Sequence, residues 1–139
     1  MRRLHGDMVA TAITCGLHRL PPYGTSKVTA ASEFKRRLFS TLYANDKTHA
    51  SLYGTPPLLT RLYCDVDACL DLPNDIIFIT QEQLAREIAL LDHNGWNCSG
   101  GQYGLATLVR AKCQLSLVRE ETLELAIGVN VEVNRARIQ

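Results

Sequence analysis

No apolar run in the 139-residue sequence approaches the roughly 20 residues that a membrane-spanning helix requires. Charge of one sign is also missing. The 15 Lys and Arg nearly cancel the 14 Asp and Glu, so no overall field draws phosphate or anionic lipid, and any basic surface has to be local. A disulfide framework is absent. The five cysteines (Cys15, Cys64, Cys69, Cys98 and Cys113) are odd in number and scattered, which excludes a stapled secreted scaffold and points to reduced thiols in a cytoplasmic protein. There is no internal repeat and no low-complexity tract. The glycine-rich "SGGQYG" at 99–104 is not followed by Gly-Lys-Ser/Thr, so it is read as a flexible turn and not a phosphate-binding loop.

What is present suits one globular domain, long enough to bury a core without metal or disulfide support. The expected division is an N-terminal segment and loop at 1–28, a core at 29–134 and a tail at 135–139. Arg2 and Arg3 stand before "MVATAITCGL" in loose imitation of a signal peptide with Cys15 as a lipidation point, but His5, Gly6 and Asp7 interrupt it. Export is not expected.

Residues 8–17 are short and apolar and fit strand or helix. "LPPYGTS" at 20–26 is a loop by its Pro and Gly content. A helix is predicted over 30–44, with Thr29 as N-cap, Phe34, Leu38 and Leu42 as the buried stripe and Asn45-Asp46 as the stop. Over 56–71 a helix gathers Leu58, Leu59, Leu62, Tyr63, Val66, Cys69 and Leu70 on one face, and Thr55-Pro56 starts it. Residues 76–79 read as a buried strand. Thr80 and Gln83 make a capping-box pattern for a helix at 81–92, with Leu84, Ile88 and Leu91 buried and Asn94-Gly95 as its end. Residues 105–113 fit helix and strand equally. From 115 onward the alternation of Leu123, Leu125, Ile127, Val129, Val131 and Val133 predicts a strand, paired as a hairpin with 115–118 through a "VREET" turn.

Helix 56–71, strand 76–79, helix 81–92, a helix near 102–113 and a hairpin form the order of elements of a winged helix-turn-helix domain. The chain resembles that superfamily most closely at "ITQEQLAREI", residues 79–88. The resemblance implies an α+β single domain with a winged-helix-like core and a C-terminal β-hairpin. It also implies that the 103–114 region enters the major groove of DNA. Tyr103, Thr107, Arg110 and Gln114 would then face bases or phosphates, with Arg86 and Arg119 positioning the backbone. If 8–15, 58–72 and 105–118 are strands instead, the order becomes a ferredoxin-like βαββαβ with an extra strand, a fold that narrows function little.

Chemical motifs are sparse. Asp65 and Asp67 diverge by about 160° on a helix and cannot share an ion. Cys64, Cys69, His93 and Cys98 lack zinc-knuckle spacing and are read as ordinary side chains. No nucleophile–base pattern accompanies His5, His18 or His49. Lys35, Arg36 and Arg37 form the densest basic cluster, read as a solvated helix face that adds phosphate contacts with Arg2 and Arg3. No metal or cofactor is expected.

The sequence therefore predicts a small nucleic-acid-binding regulator or accessory protein without catalytic activity and with duplex DNA as its partner. The alternative is a protein–protein interaction module, an inhibitor or adaptor. That reading is motivated by the near-zero charge and by Glu120 and Glu121 at the wing tip; self-association would run through the 123–133 strand. An enzyme with a site assembled only by the fold, around His93 or a cysteine–histidine pair, ranks third.

Overall fold

The computed structural model describes residues 2–98 and 103–129. Four helices carry the architecture: α1 (Arg2–Thr14), α2 (Ala30–Tyr53), α3 (Gln81–Ala89) and α4 (Leu105–Ile127). A short 3-10 helix (Ile76–Phe78) precedes α3. The long helices α2 and α4 pack on each other, and α1 lies against α2. Among the described residues there is no β-strand, only isolated bridges such as Arg19 with Asp65 and Leu91 with Asn97.

Local chemistry sets the helix ends. Thr29 and Ser32 cap α2 reciprocally, the Ser32 amide donating to Thr29 Oγ1 at 3.1 Å and the Thr29 amide to Ser32 Oγ at 2.9 Å. Gly54 closes it in the left-handed region at φ 60°, a conformation open to a residue without Cβ. Thr80 and Gln83 cap α3 in the same way, at 3.3 and 2.8 Å. At the start of α4 the Gly104 amide donates to Thr107 Oγ1 at 3.0 Å.

Two apolar cores result. Val9, Ala12 and Leu17 meet Phe39, Leu42, Tyr43 and Leu59 at one end. Leu72, Ile76 and Leu84 form the other, with Ile79, Ile88 and Leu91 packed around them. The inner faces of α2 and α4 also bury polar side chains. Glu33, Arg36, Ser40, Asp46 and Lys47 of α2 are buried, as are Arg110, Ser116 and Glu120 of α4.

This architecture corrects the expected α+β fold, in both its winged-helix and ferredoxin-like forms. Residues 8–14 continue α1 and residues 105–127 are one helix, so neither forms a strand. The 115–127 stretch is rich in Leu and Glu, which are strong helix formers. Glu120 is fully buried and Leu123 nearly so, while Ile127 is 38% exposed, so the stretch packs with helical and not alternating period. Neither the hairpin nor the 123–133 pairing strand exists as far as residue 129; positions 130–134 and the expected tail lie outside the described residues. The strand at 76–79 is replaced by a tight turn in which the Phe78 amide donates to the Asp75 carbonyl at 2.8 Å, leaving Phe78 84% exposed.

The expected helix at 56–71 is an irregular connection. Its amides are drawn out sideways to buried carboxylates: Leu58 and Leu59 donate to Asp46 at 3.1 and 2.9 Å, Arg61 to Glu120 at 3.0 Å and Leu70 to Glu33 at 2.7 Å. The α2 helix overruns its expected stop at Asn45-Asp46, because Asp46 points inward to those amides instead of capping its own helix. The expected α2 stripe is rotated as well: Leu42 is buried, but Phe34 and Leu38 are about half exposed.

Candidate functional site

Of the six residues predicted to face nucleic acid, Thr107, Arg110 and Gln114 lie on α4 and Tyr103 just before it, and they do not share one exposed face. Tyr103 is almost fully exposed just before the helix. Thr107 is half-buried and donates its hydroxyl to Asp71 at 2.7 Å. Arg110 is buried at 7% exposure beneath Trp96, 5.1 Å from the ring centroid. Its guanidinium donates to the backbone carbonyls of Ala68, Cys69 and Asn94. Gln114 is exposed. Arg86 is exposed on the separate helix α3, and Arg119 donates to Thr48 Oγ1 at 2.8 Å across the α2–α4 junction. The structure brings Thr107, Arg110 and Gln114 onto one helix with Tyr103 just before it, turns Arg110 inward, and does not join Arg86 to them.

The basic cluster at 35–37 is split by the helix turn. Arg36 is buried over the Tyr23 ring at 4.1 Å and donates to the Pro21 carbonyl. Arg37 donates to the carbonyls of Leu72 at 2.7 Å and Pro73 at 3.1 Å. Lys35 remains on the exposed face. With Lys47 and Arg110, these side chains direct their positive charge into the fold.

Sequence reasoning missed the buried ionic centre at the middle of the molecule. Lys47 Nζ is fully buried, 3.2 Å from Asp46 Oδ2 and 3.4 Å from Glu120 Oε2, and donates to the Leu59 carbonyl. The Tyr43 hydroxyl donates to Glu120, and His5 Nε2 lies 3.0 Å from Asp46 Oδ1, tying α1 into the network. Burial, and then the Glu120 carboxylate beside it, pushes the Tyr43 phenol well above its ordinary range. Burial raises Asp46 too, but His5, the Leu59 and Leu58 amides and Lys47 together bring it below the usual carboxylate range. Glu33 is the opposite case. Burial outweighs the Tyr23 hydroxyl and the Leu70 amide that it accepts from, and its carboxyl is held above the usual range. The available signal was the seam spacing of Glu33, Ser40, Lys47 and then Arg110, Ser116 and Glu120, a helical period written in polar residues.

The thiols are ordinary. Cys69 is fully buried and burial pushes it up to about 11, which keeps it a thiol; burial raises Cys64 and Cys113 as well. Cys98 is exposed and Cys64 half-buried. Among the described residues no three His, Cys, Asp or Glu side chains converge as metal ligands. Two open clefts border the fold. One, of about 610 Å³, lies between the 22–28 loop, residues 67–70 and the 91–95 turn, with Arg110 in its wall. The other, of about 520 Å³, is an apolar groove between α1 and α2 lined by Leu4, Met8 and Leu38. Among the described residues no helix is long and apolar enough to cross a membrane.

Residues 1–116 match the sequence profile of the fungal specific transcription factor domain. No curated protein and no solved structure matches the chain. The profile match overturns the winged helix-turn-helix resemblance, whose hairpin and short strand are also absent among the described residues. The local likeness at "ITQEQLAREI" reflects a well-capped amphipathic helix, a device that unrelated folds share. Its regulatory, transcription-related character comes from the family, and since the match spans well over half of its length, the chain belongs to the fungal specific transcription factor domain family.

Proposed function

We propose that this chain is a non-catalytic regulatory domain of a fungal transcription factor and that it acts through protein contacts. The observation that carries this reading is the direction of its cations. Arg36, Arg37, Lys47 and Arg110 are spent on carbonyls and buried carboxylates of the chain itself. Such groups are then lost to phosphate neutralisation, which supplies most of the affinity of a DNA-reading surface. Apolar side chains are meanwhile exposed on several elements: Leu4 of α1, Leu62 and Tyr63 of the connection, and Leu115 and Val118 of α4 are each more than 60% exposed. A transcriptional role sets its place of action in the nucleus, in place of the cytoplasm suggested by the reduced thiols.

A second reading, direct duplex contact, draws on the exposed members of the expected set, Tyr103, Gln114, Arg86 and Arg119. One pair of measurements separates the two. The chain is tethered to a reporter promoter by an unrelated DNA-binding domain, and its own affinity for mixed-sequence duplex DNA is read by fluorescence anisotropy at low and moderate salt. A changed reporter output with no intrinsic DNA affinity is the expected result. Steeply salt-dependent binding that weakens in Arg86→Ala and Arg119→Ala would establish the direct reading instead.

A further inference from the structure

Helix α4 carries two seams. One, through Ala106, Arg110, Ser116, Glu120 and Leu123, is buried. The other consists of Leu108, Ala111, Leu115, Val118, Thr122 and Leu125, spaced alternately three and four residues apart. This is the a/d spacing of a helix that packs knobs into holes against another helix. It runs about 26 Å along the axis. Its middle faces outward: Leu108 is 50% exposed, Leu115 64% and Val118 62%, with Ala111 and Leu125 half-buried. Resting on the reading that the domain works through protein contacts, we propose that this outer seam docks an acidic amphipathic helix of a partner protein.

The flanks of the seam select the charge of that helix. On one side Lys112 and Arg119 stand seven residues apart, both exposed. Neither forms an ion pair with a described carboxylate, and Arg119 reaches only the Thr48 hydroxyl. On the other side Glu121 is already neutralised by Arg61 at 2.6 Å. The open charge along the seam is therefore positive, and a helix with carboxylates along the matching edge completes it.

A second copy of this chain does not supply those carboxylates. If the face pairs with itself antiparallel, Lys112 of one copy meets Arg119 of the other, and like charges repel. If it pairs parallel, the basic row meets Thr107 and Gln114, which are uncharged. The partner is therefore a different helix, with apolar a/d positions and Asp or Glu on the flank.

The test uses the whole chain and two labelled synthetic helices of three heptads, both with leucine at a and d, one with glutamate and the other with lysine on the flanks. Anisotropy should show saturable binding of the glutamate helix, weaker at higher salt, and binding of the lysine helix weaker by about tenfold or more. Leu115→Asp should remove binding while leaving the thermal transition in place. The double variant Lys112→Glu with Arg119→Glu should reverse the preference towards the lysine helix, which a merely sticky surface would not do. Absence of binding, equal binding of the two helices, or a dimer that Leu115→Asp dissolves would each overturn the proposal. If the tethered reporter still responds in those cases, the protein-contact reading survives and only this seam is lost as its site. A silent reporter defeats both.

Discussion

Lys47 of α2 and Glu120 of α4 face each other at 3.4 Å, both fully buried. Each is also bonded to the connection between α2 and α3, Lys47 to the Leu59 carbonyl and Glu120 to the Arg61 amide. Removing one partner leaves the other charge stranded. Glu120→Ala is expected to cost about 3–5 kcal/mol of stability, whereas Lys47→Met combined with Glu120→Leu recovers part of that loss. Urea unfolding followed by circular dichroism measures both, and a loss in Glu120→Ala below about 1 kcal/mol would contradict the buried pairing.

Asp46 and Glu33 make opposite contributions in acid. The Asp46 carboxyl is lowered in the fold, so its stabilisation is present above its unfolded value of about 3.9 and disappears as pH falls through the lower folded value. The Glu33 carboxyl is raised, so its stabilisation is complete below the unfolded value and disappears as pH rises through the folded one. Asp46→Asn should therefore flatten the acid limb of the urea midpoint plotted against pH. Glu33→Gln should remove a decline on the side above the ordinary carboxylate range.

Two of the glycines at positive φ, Gly54 and Gly95, tolerate a Cβ differently. At Gly54, φ 60°, a Cβ would meet open space, so Gly54→Ala should cost only about 1 kcal/mol of backbone strain. At Gly95, φ 79°, a Cβ would come within 2.8 Å of Leu70 Cδ2 and 3.3 Å of Arg110 Nη2. Gly95→Ala should cost about 2 kcal/mol or more. Equal midpoints for the two variants would refute the close approach at Gly95.

Arg110 is predicted to matter for folding before anything else. Arg110→Ala leaves the carbonyls of Ala68, Cys69 and Asn94 without their donor and should cost about 2–4 kcal/mol. Arg86→Ala, at an exposed site, should change stability by less than about 0.5 kcal/mol. Thermal unfolding of the two side by side is the check, and comparable melting temperatures would show that the carbonyl contacts contribute little.

The parts of the fold that were legible in the sequence are those settled within three or four residues. Thr29 before α2, and Thr80 with Gln83 before α3, make their bonds to backbone immediately beside them, and both caps formed as the pattern implied. The seam between α2 and α4 was not legible, because apolar periodicity is silent where the inward residues are Glu33, Ser40, Lys47, Arg110 and Glu120. Charged residues normally mark solvent, so apolar spacing points to Phe34 and Leu38, which the structure leaves about half exposed. The 56–71 connection failed for a related reason. Its amides bond to side chains tens of residues away, and no local propensity encodes that. Of the candidate interface, the helical stripe from Tyr103 to Gln114 could be foreseen if α4 was a helix; that Arg110 would turn inward depended on Trp96 and the 68–69 carbonyls, which the chain order does not reveal.

The 56–71 stretch of the connection between α2 and α3 has no ladder or helix of its own, and two of the groups that shape it, Arg110 and Glu120, belong to the last described helix. During synthesis from the N-terminus, these anchors emerge some fifty residues after the segment they hold. The segment must wait, with Leu59 and Cys69 still unburied, until α4 arrives and closes on α2. Part of its conformation is thus fixed late and from a distance: truncation of the growing chain before Glu120 would free the Arg61 end of the segment, while Asp46 and Glu33 of α2 would still hold Leu58, Leu59 and Leu70.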